Sequence, residues 1–182
     1  MTAKMEDFKS LLELEFSPYG TLTRPQLLLL EQHYQLLLRW NQKMNLTRIT
    51  GLSDAVRYHY CESLYLAKSL PKNALRIVDV GSGAGFPGIP VAIFRPDCVV
   101  HLVESHQRKA VFLREATRHL PNTQVFPARS EDLTGTYDWL ISRAVRPSDV
   151  LKSQLAPNVF VLGTEGEKLP WGESRALFHV ER

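Results

Sequence analysis

The sequence predicts an α/β fold: a mostly parallel sheet with helices on both faces, preceded by a helical N-terminal extension. Three observations carry this reading. From Arg76 onward, short apolar runs alternate with helical stretches, the pattern of repeated strand–helix–strand units that build a Rossmann-like sheet. Ahead of that point the apolar positions recur at helical spacing. The length of 182 residues suits one domain around one substantial core.

The elements follow in order. Phe8, Leu11, Leu12 and Leu14 mark a first helix, closed by the breaker cluster Ser17-Pro18-Tyr19-Gly20. Thr23 and Pro25 open a second helix, which carries Leu27 to Leu30, Leu36 to Leu38 and Trp40. Ser53 or Asp54 caps a third, with Val56, Tyr60, Leu64 and Ala67 as its apolar residues, until Leu70-Pro71 stops it. Five parallel strands are expected at residues 77–80, 99–103, 123–126, 139–141 and 159–162, with helices after Phe86 and near residues 106–120 and 147–155. No internal repeat interrupts this order. Residues 1–72 therefore read as a helical extension packed on a core of residues 73–182, one structural domain overall. With the last residue at Arg182, residues 176–181 supply at most a sixth strand and leave no room for a seventh, so the sheet edge is expected to be incomplete.

Composition excludes several classes. The hydrophobic share of 44% and charged share of 23% are those of an ordinary globular protein, and no apolar run approaches the ~20 residues of a membrane span. Residues 1–10 mix Lys4, Glu6, Asp7 and Lys9 without the apolar core of a signal peptide, so a cytoplasmic protein is expected. Cys61 and Cys98 stand in unrelated patterns, giving neither a disulfide framework nor a zinc spacing, and no metal is expected. Asn45-Leu46-Thr47 matches a glycosylation acceptor, which matters only in a secreted chain. A net charge of +3 permits an anionic partner without requiring one.

The chemistry is concentrated in residues 79–90, Asp-Val-Gly-Ser-Gly-Ala-Gly-Phe-Pro-Gly-Ile-Pro, directly after an apolar strand and opening a helix. Glycines there turn the chain sharply and let a nucleotide-like ligand approach the backbone. Gly83-x-Gly85-x-x-Gly88 also satisfies the dinucleotide pattern, with Glu104 as its ribose acid. A pyrophosphate would need free amides at the helix start, and Pro87 and Pro90 remove two of them. The acid-x-Gly-x-Gly-x-Gly form, led by Asp79, better suits a ligand with an ammonium, a sulfonium and no phosphate: S-adenosylmethionine. Glu104 ends the second strand, where its carboxylate can accept both ribose hydroxyls; its bland alternative is a helix cap at Ser105-His106. Ser130, Glu131 and Asp132 follow the third strand, where the adenine would lie, and equally fit a helix cap.

With these residues in view, the chain resembles the small-subunit ribosomal RNA methyltransferase G family, also called glucose-inhibited division protein B. The resemblance covers residues 27–166 and rests on several motifs: Arg39-Trp40-Asn41 with Asn45-Leu46-Thr47; His59 with Glu62-Ser63-Leu64; residues 79–90; Arg95-Pro96; and Ser142-Arg143-Ala144. It implies a class I S-adenosylmethionine-dependent methyltransferase fold in a bacterial enzyme that methylates N7 of one guanosine in 16S ribosomal RNA, leaving S-adenosylhomocysteine. Its cofactor contacts fall on Gly81, Phe86, Ser130, Glu131 and Arg143, beside Asp79, Gly83, Gly85 and Glu104 from the residue reading. Asn45 to Thr47, His59, Glu62 and Ser63 would line the cleft above the cofactor, which makes Asn45, His59 and Arg143 its candidate functional residues. Asn41 as a helix cap and His59 as a packed ring are the alternatives. The resemblance leads one to expect Lys-Gly after the fifth strand, where Glu165-Gly166 stands with inverted charge.

Guanine N7 attacks with a lone pair already free, so no general base is nominated, and positioning supplies the catalysis. Arg39, Lys43, Arg48, Arg57 and Arg146 are the candidate RNA contacts, each with a solvated surface charge as its alternative. The expected partner is 16S ribosomal RNA, naked or in the 30S subunit, for a monomer away from membranes. Two rival readings stand beside this one. The first is an NAD-dependent oxidoreductase, disfavoured by Pro87 and Pro90. The second is a catalytically inactive RNA-binding or assembly module, suggested by Glu165 and the short C-terminus.

Overall fold

A computed structural model describes residues 7–143 and 145–181. Lys4 and Glu6 of the N-terminal stretch, Ala144 of the Ser-Arg-Ala motif and the terminal Arg182 lie outside the described residues.

Helix α1 (Phe8–Phe16) starts where the Asp7 side chain accepts the Ser10 N–H. Helix α2 (Arg24–Asn41) opens with a reciprocal capping box: Gln26 N–H donates to Thr23 Oγ1 and Thr23 N–H to Gln26 Oε1. The third helical stretch departs from expectation. It begins at α3 (Leu52–Ala55) behind Gly51, with no side-chain cap from Ser53 or Asp54, and passes through a π-helical segment (Val56–Cys61) into α4 (Glu62–Ser69). The wider turn shifts the register of the following residues, and such insertions are frequent at functional sites.

The sheet then forms from β1 (Arg76–Val80), β2 (Val99–Val103), β3 (Thr123–Phe126), β4 (Trp139–Arg143), β5 (Asn158–Gly163), β6 (Glu167–Lys168) and β7 (Ala176–Glu181). Their spatial order is β3-β2-β1-β4-β5-β7-β6. The first five strands are mutually parallel, as expected, and β7 runs antiparallel to β5. The expected incomplete edge is corrected here. Residues 176–181 are the seventh strand, fully registered on β5 from Asn158 opposite Glu181 to Gly163 opposite Ala176. The sixth strand is so short, two residues, that the sequence pattern gave no sign of it.

Helices α5 (Gly88–Phe94), α6 (Gln107–Ala116) and α7 (Pro147–Lys152) join the strands. Alternate strand residues feed two cores: Ile77, Ile141, Phe160 and Leu162 join the cluster that holds α1, α2 and α4 to α6, while Val78, Leu140, Val159 and Val161 pack with Val150 and Leu155 on the other face. The helical extension thus shares one hydrophobic cluster with the sheet, and Lys9–Glu31 and Arg57–Glu15 ion pairs tie its pieces together. Among the described residues no helix is long and apolar enough to cross a membrane. Strand order reverses between β1 and β4, and the carboxyl ends of strands flanking such a reversal form the crevice where open α/β sheets hold ligands.

Candidate functional site

The glycine turn sits at the carboxyl end of β1, and its glycines divide into two kinds. Gly81, Gly83 and Gly85 all have positive φ (73°, 55° and 93°), which side chains rarely adopt. A Cβ on Gly81 or Gly83 would meet nothing nearer than 3.7 Å, so both face open space. A Cβ on Gly85 would run into Ile89 and come within 3.1 Å of His33 Nε2, and one on Gly88 would collide with Leu102 and Asp79. Gly85, expected to touch ligand, is buried and serves close packing of the turn on helices α2 and α5.

The start of α5 offers no vacant amide to a phosphate. Gly88 N–H donates to Asp79 Oδ2 (2.9 Å), Ile89 N–H to the Gly85 carbonyl (2.8 Å) and Val91 N–H to the Pro87 carbonyl (3.1 Å), while Pro90 has none. The dinucleotide reading fails on this count. Asp79 itself is fully buried, and its Oδ1 has no hydrogen-bond partner among the described residues. Burial pushes its carboxyl up to about 7.

Glu104, at the tip of β2, accepts Gly83 N–H on Oε2 (2.9 Å) and His106 N–H on Oε1 (2.8 Å). Helix α6 has His106 at its N-cap and no side-chain cap bond, so the carboxylate braces the ligand-facing turn and the chain leading into α6 and does not cap the helix. Each oxygen keeps a further lone pair. Beside it lies a cleft of about 380 Å³ lined by Gly81, Val103, Glu104, Arg129, Ser130 and Glu131. Ser130 and Glu131 stand on a single 3-10 turn (Ser130–Asp132) whose N-terminus carries no side-chain cap bond, so the helix-cap alternative for Ser130 is not realised.

Phe86 is caged. His59 stacks on its ring (4.4 Å between centroids, 13° between planes), His33 and Tyr60 meet its faces edge-on, and the Arg143 guanidinium lies 5.5 Å above it. His59 and Tyr60 are consecutive residues of the π-helical segment, and both are buried. His59 Nε2 lies 2.8 Å from Thr47 Oγ1, and its Nδ1 has no partner among the described residues. Burial, aided by nearby Arg143, holds its pKa down to about 2, so the ring is neutral. Asn41 is no simple cap: its Oδ1 accepts Leu46 N–H and Thr47 N–H, and its Nδ2 donates to the Thr47 carbonyl, which pins the Asn-Leu-Thr segment. Within that segment Thr47 reaches His59, whereas Asn45 is exposed and does not join the cluster. Arg143 donates to the Tyr58 carbonyl (3.1 Å), and burial lowers its pKa to about 10, still far above neutrality.

Two partners escaped sequence reasoning. Arg175, in the tight loop before β7, grips fully buried Glu62 through Nε–Oε1 (2.7 Å) and Nη2–Oε2 (2.6 Å). His33, on α2, hydrogen-bonds the glycine turn. Neither stands in a motif; Arg175 is linked to Glu62 across 113 residues and only the antiparallel return of β7 brings it there. Arg175 joins Arg143, Arg146, Thr164 and Glu165 around a second cleft of about 360 Å³ at the ends of β4 and β5, so the inverted charge at Glu165 faces a group of arginines.

The expected RNA contacts separate. Arg146 lines that second cleft, and Lys43 and Arg48 are exposed beside the pinned Asn-Leu-Thr segment. Arg39 lines a different hollow between α2 and α6 with Glu115, Arg118 and His119. Arg57 is engaged by Glu15 through two hydrogen bonds to one oxygen (2.9 and 2.7 Å), so its guanidinium is committed within the extension.

A family model for GidB, rRNA small subunit methyltransferase G, matches residues 26–166. The chain belongs to this family. Curated relatives bearing the name ribosomal RNA small subunit methyltransferase G include that of Pelotomaculum thermopropionicum, 38% identical over 151 residues that make up 78% of this chain and 63% of the relative. That of Chromobacterium violaceum is 46% identical over 112 residues, 60% of this chain and 53% of the relative. That of Halorhodospira halophila is 38% identical over 155 residues, 81% of this chain and 73% of the relative. The matches thus span between about half and three-quarters of these family members. The crystal structure of coclaurine N-methyltransferase bound to N-methylheliamine and SAH shares the fold, with a TM-score of 0.52 at 15% identity over 90% of this chain and 64% of that one.

Proposed function

We propose that this family member is a bacterial, cytoplasmic, S-adenosylmethionine-dependent methyltransferase acting on N7 of a guanosine in 16S ribosomal RNA, with the extension of residues 1–72 carrying part of the RNA-facing wall. The observation that carries the reading is the division of the turn: Gly81 and Gly83 face open space, Gly81 as part of the lining of the cleft beside Glu104, and the α5 amides are all consumed. That combination admits an adenosine ligand with a cationic tail and turns away a pyrophosphate. The residues present fit S-adenosylmethionine. Asp79 keeps one buried carboxylate oxygen without a partner, suited to an ammonium, and Glu104 keeps lone pairs at the cleft for ribose hydroxyls.

S-Adenosylmethionine, when bound, supplies an electrophilic methyl group. The chain's own residues need only hold the guanine in line with it, which is worth about 7 to 11 kcal/mol in favourable cases. His59, neutral and stacked on Phe86, cannot donate charge and acts as a wall, holding Thr47 and the Asn41 segment in place. Arg143 stays cationic and fixed by the Tyr58 carbonyl, so it suits a phosphate or a polar edge of the base more than a purine that gains positive charge. Proton removal is not required before transfer, because guanine N7 attacks with a lone pair already free.

Methyl transfer from labelled S-adenosylmethionine to undermethylated 30S subunits and to naked 16S RNA tests the reading, with the modified nucleoside identified by mass spectrometry. Incorporation at guanine N7 is expected. RNA binding without incorporation would favour the inactive module instead, for which Glu165 facing Arg143, Arg146 and Arg175 is the specific observation.

A further inference from the structure

The glycine turn is held from two sides. On one, Gly83 N–H is taken by Glu104. On the other, the Ala84 carbonyl points into the helical extension, 2.9 Å from His33 Nε2. A carbonyl can only accept, so Nε2 carries the ring proton; the bare Nδ1 then accepts the hydroxyl of Tyr60, 3.0 Å away. His33 is 3% exposed and Tyr60 fully buried. Desolvation holds the imidazole down to about 4, so the ring is neutral at neutral pH, as a ring that donates at one nitrogen and accepts at the other must be.

The geometry points to His33 as a positioning residue for the ligand-binding turn: from α2 it fixes the Ala84 carbonyl, and with it the backbone of residues 83–85. Ala84 stands between two left-handed glycines, φ 55° and 93°, whose freedom leaves the intervening peptide plane without steric guidance. Gly85 N–H bonds the Ser82 carbonyl, the Gly85 carbonyl takes the Ile89 N–H and Gly83 N–H bonds Glu104, while the Ala84 carbonyl is gripped from the helical extension. The ring also packs against Phe86 and Phe112. The extension therefore shapes the cofactor end of the site as well as the RNA-facing end. The Tyr60–His33–Ala84 chain joins the π-helical segment to the turn, and His59 of the same segment reaches Thr47.

The inference rests on the reading that this turn receives S-adenosylmethionine, and the test separates the two. His33→Phe keeps a ring among Phe86 and Phe112 and loses both hydrogen bonds. His33→Gln ends its chain in an amide Nε2 that can still donate to the Ala84 carbonyl. The unaltered chain and both variants are titrated with S-adenosylmethionine by calorimetry at temperatures well below unfolding, and amide exchange is followed in residues 81–88 of the ligand-free chains. His33→Phe is expected to raise the Kd about tenfold and to speed exchange in the turn, with His33→Gln recovering most of both. A parental Kd in His33→Phe, or a loss that Gln leaves unrepaired, overturns the inference. If the unaltered chain itself does not bind, the ligand reading falls, and exchange alone decides: turn-specific acceleration reversed by Gln upholds the positioning role, and unchanged exchange overturns it. Should His33→Phe not fold, Tyr60→Phe keeps its ring in place and removes the hydroxyl that fixes the tautomer. It is expected to raise the Kd about threefold, and a parental value overturns the inference.

Discussion

Gly83→Val separates a ligand-facing glycine from a packing one. Residue 83 sits at φ 55°, so any side chain there bears the left-handed penalty of roughly 1 to 2 kcal/mol, somewhat more for a β-branched one. A Cβ would meet only the Gly81 carbonyl, at 3.7 Å, so no collision adds to that strain. Against a typical stability of about 5 to 15 kcal/mol the variant stays folded, and at about 2 to 4 °C per kcal/mol its Tm falls by only a few degrees. The isopropyl group nevertheless fills the space in front of the turn, and S-adenosylmethionine affinity is expected to fall at least a hundredfold, about 2.7 kcal/mol. Gly88→Ala is the contrast, because its Cβ is driven into Leu102 and Asp79 and the overpacking costs about 1 to 3 kcal/mol of fold stability. Calorimetric titration with S-adenosylmethionine and S-adenosylhomocysteine, paired with thermal unfolding of the same samples, reads both quantities. A Gly83→Val chain that binds with the parental Kd would place the ligand elsewhere, and one that fails to fold would make residue 83 a packing position.

Four further outcomes follow from the same geometry. Glu104→Ala strips the partner from the Gly83 and His106 amides and is expected to weaken cofactor binding by about 1 to 3 kcal/mol; an unchanged Kd leaves Glu104 a backbone brace alone. Asp79 binds more protons folded than unfolded between its ordinary 3.8 and about 7, so its contribution makes stability fall as pH rises through that window and level off above it. Cofactor affinity should rise over the same interval as the carboxylate ionises, and Asp79→Asn should abolish both slopes in urea unfolding and titration series; slopes that survive it belong to another group. Glu62→Gln breaks an ion pair whose carboxylate is fully buried and is expected to cost about 3 kcal/mol, the low end of the range because the Arg175 side chain is 26% exposed, whereas Glu62→Leu with Arg175→Met together should cost less than the two singles summed. RNA affinity should fall steeply with salt while cofactor affinity hardly moves, and Arg48→Ala or Arg146→Ala should each reduce the slope of log K against log salt by about one; Arg57→Ala, already paired with Glu15, should leave it at the parental value.

What was legible in the sequence was whatever is encoded locally. The five parallel strands lie where their apolar runs stand, the second helix starts at Thr23, and the acid-glycine turn sits at the tip of β1. Periodicity, capping and backbone freedom act over a few residues, so a single sequence displays them. The π-helical segment was not legible, because its residues keep a helical pattern and only the packing of Tyr60 and His59 around Phe86 marks the wider turn. Nor was β6, too short to carry alternation and paired only through β7.

The sequence by itself determined the five parallel strands, the turn and the family, since each rests on the order and type of neighbouring residues. Tertiary structure alone decided which glycines face open space and which are wedged against His33, Ile89, Leu102 and Asp79. It alone paired Glu62 with Arg175, committed Arg57 to Glu15 and set His33 against Ala84. Those contacts join residues 42 to 113 positions apart. At such separations a hydrogen bond or ion pair leaves no mark on local propensity, and its partner is chosen by how the elements close on one another.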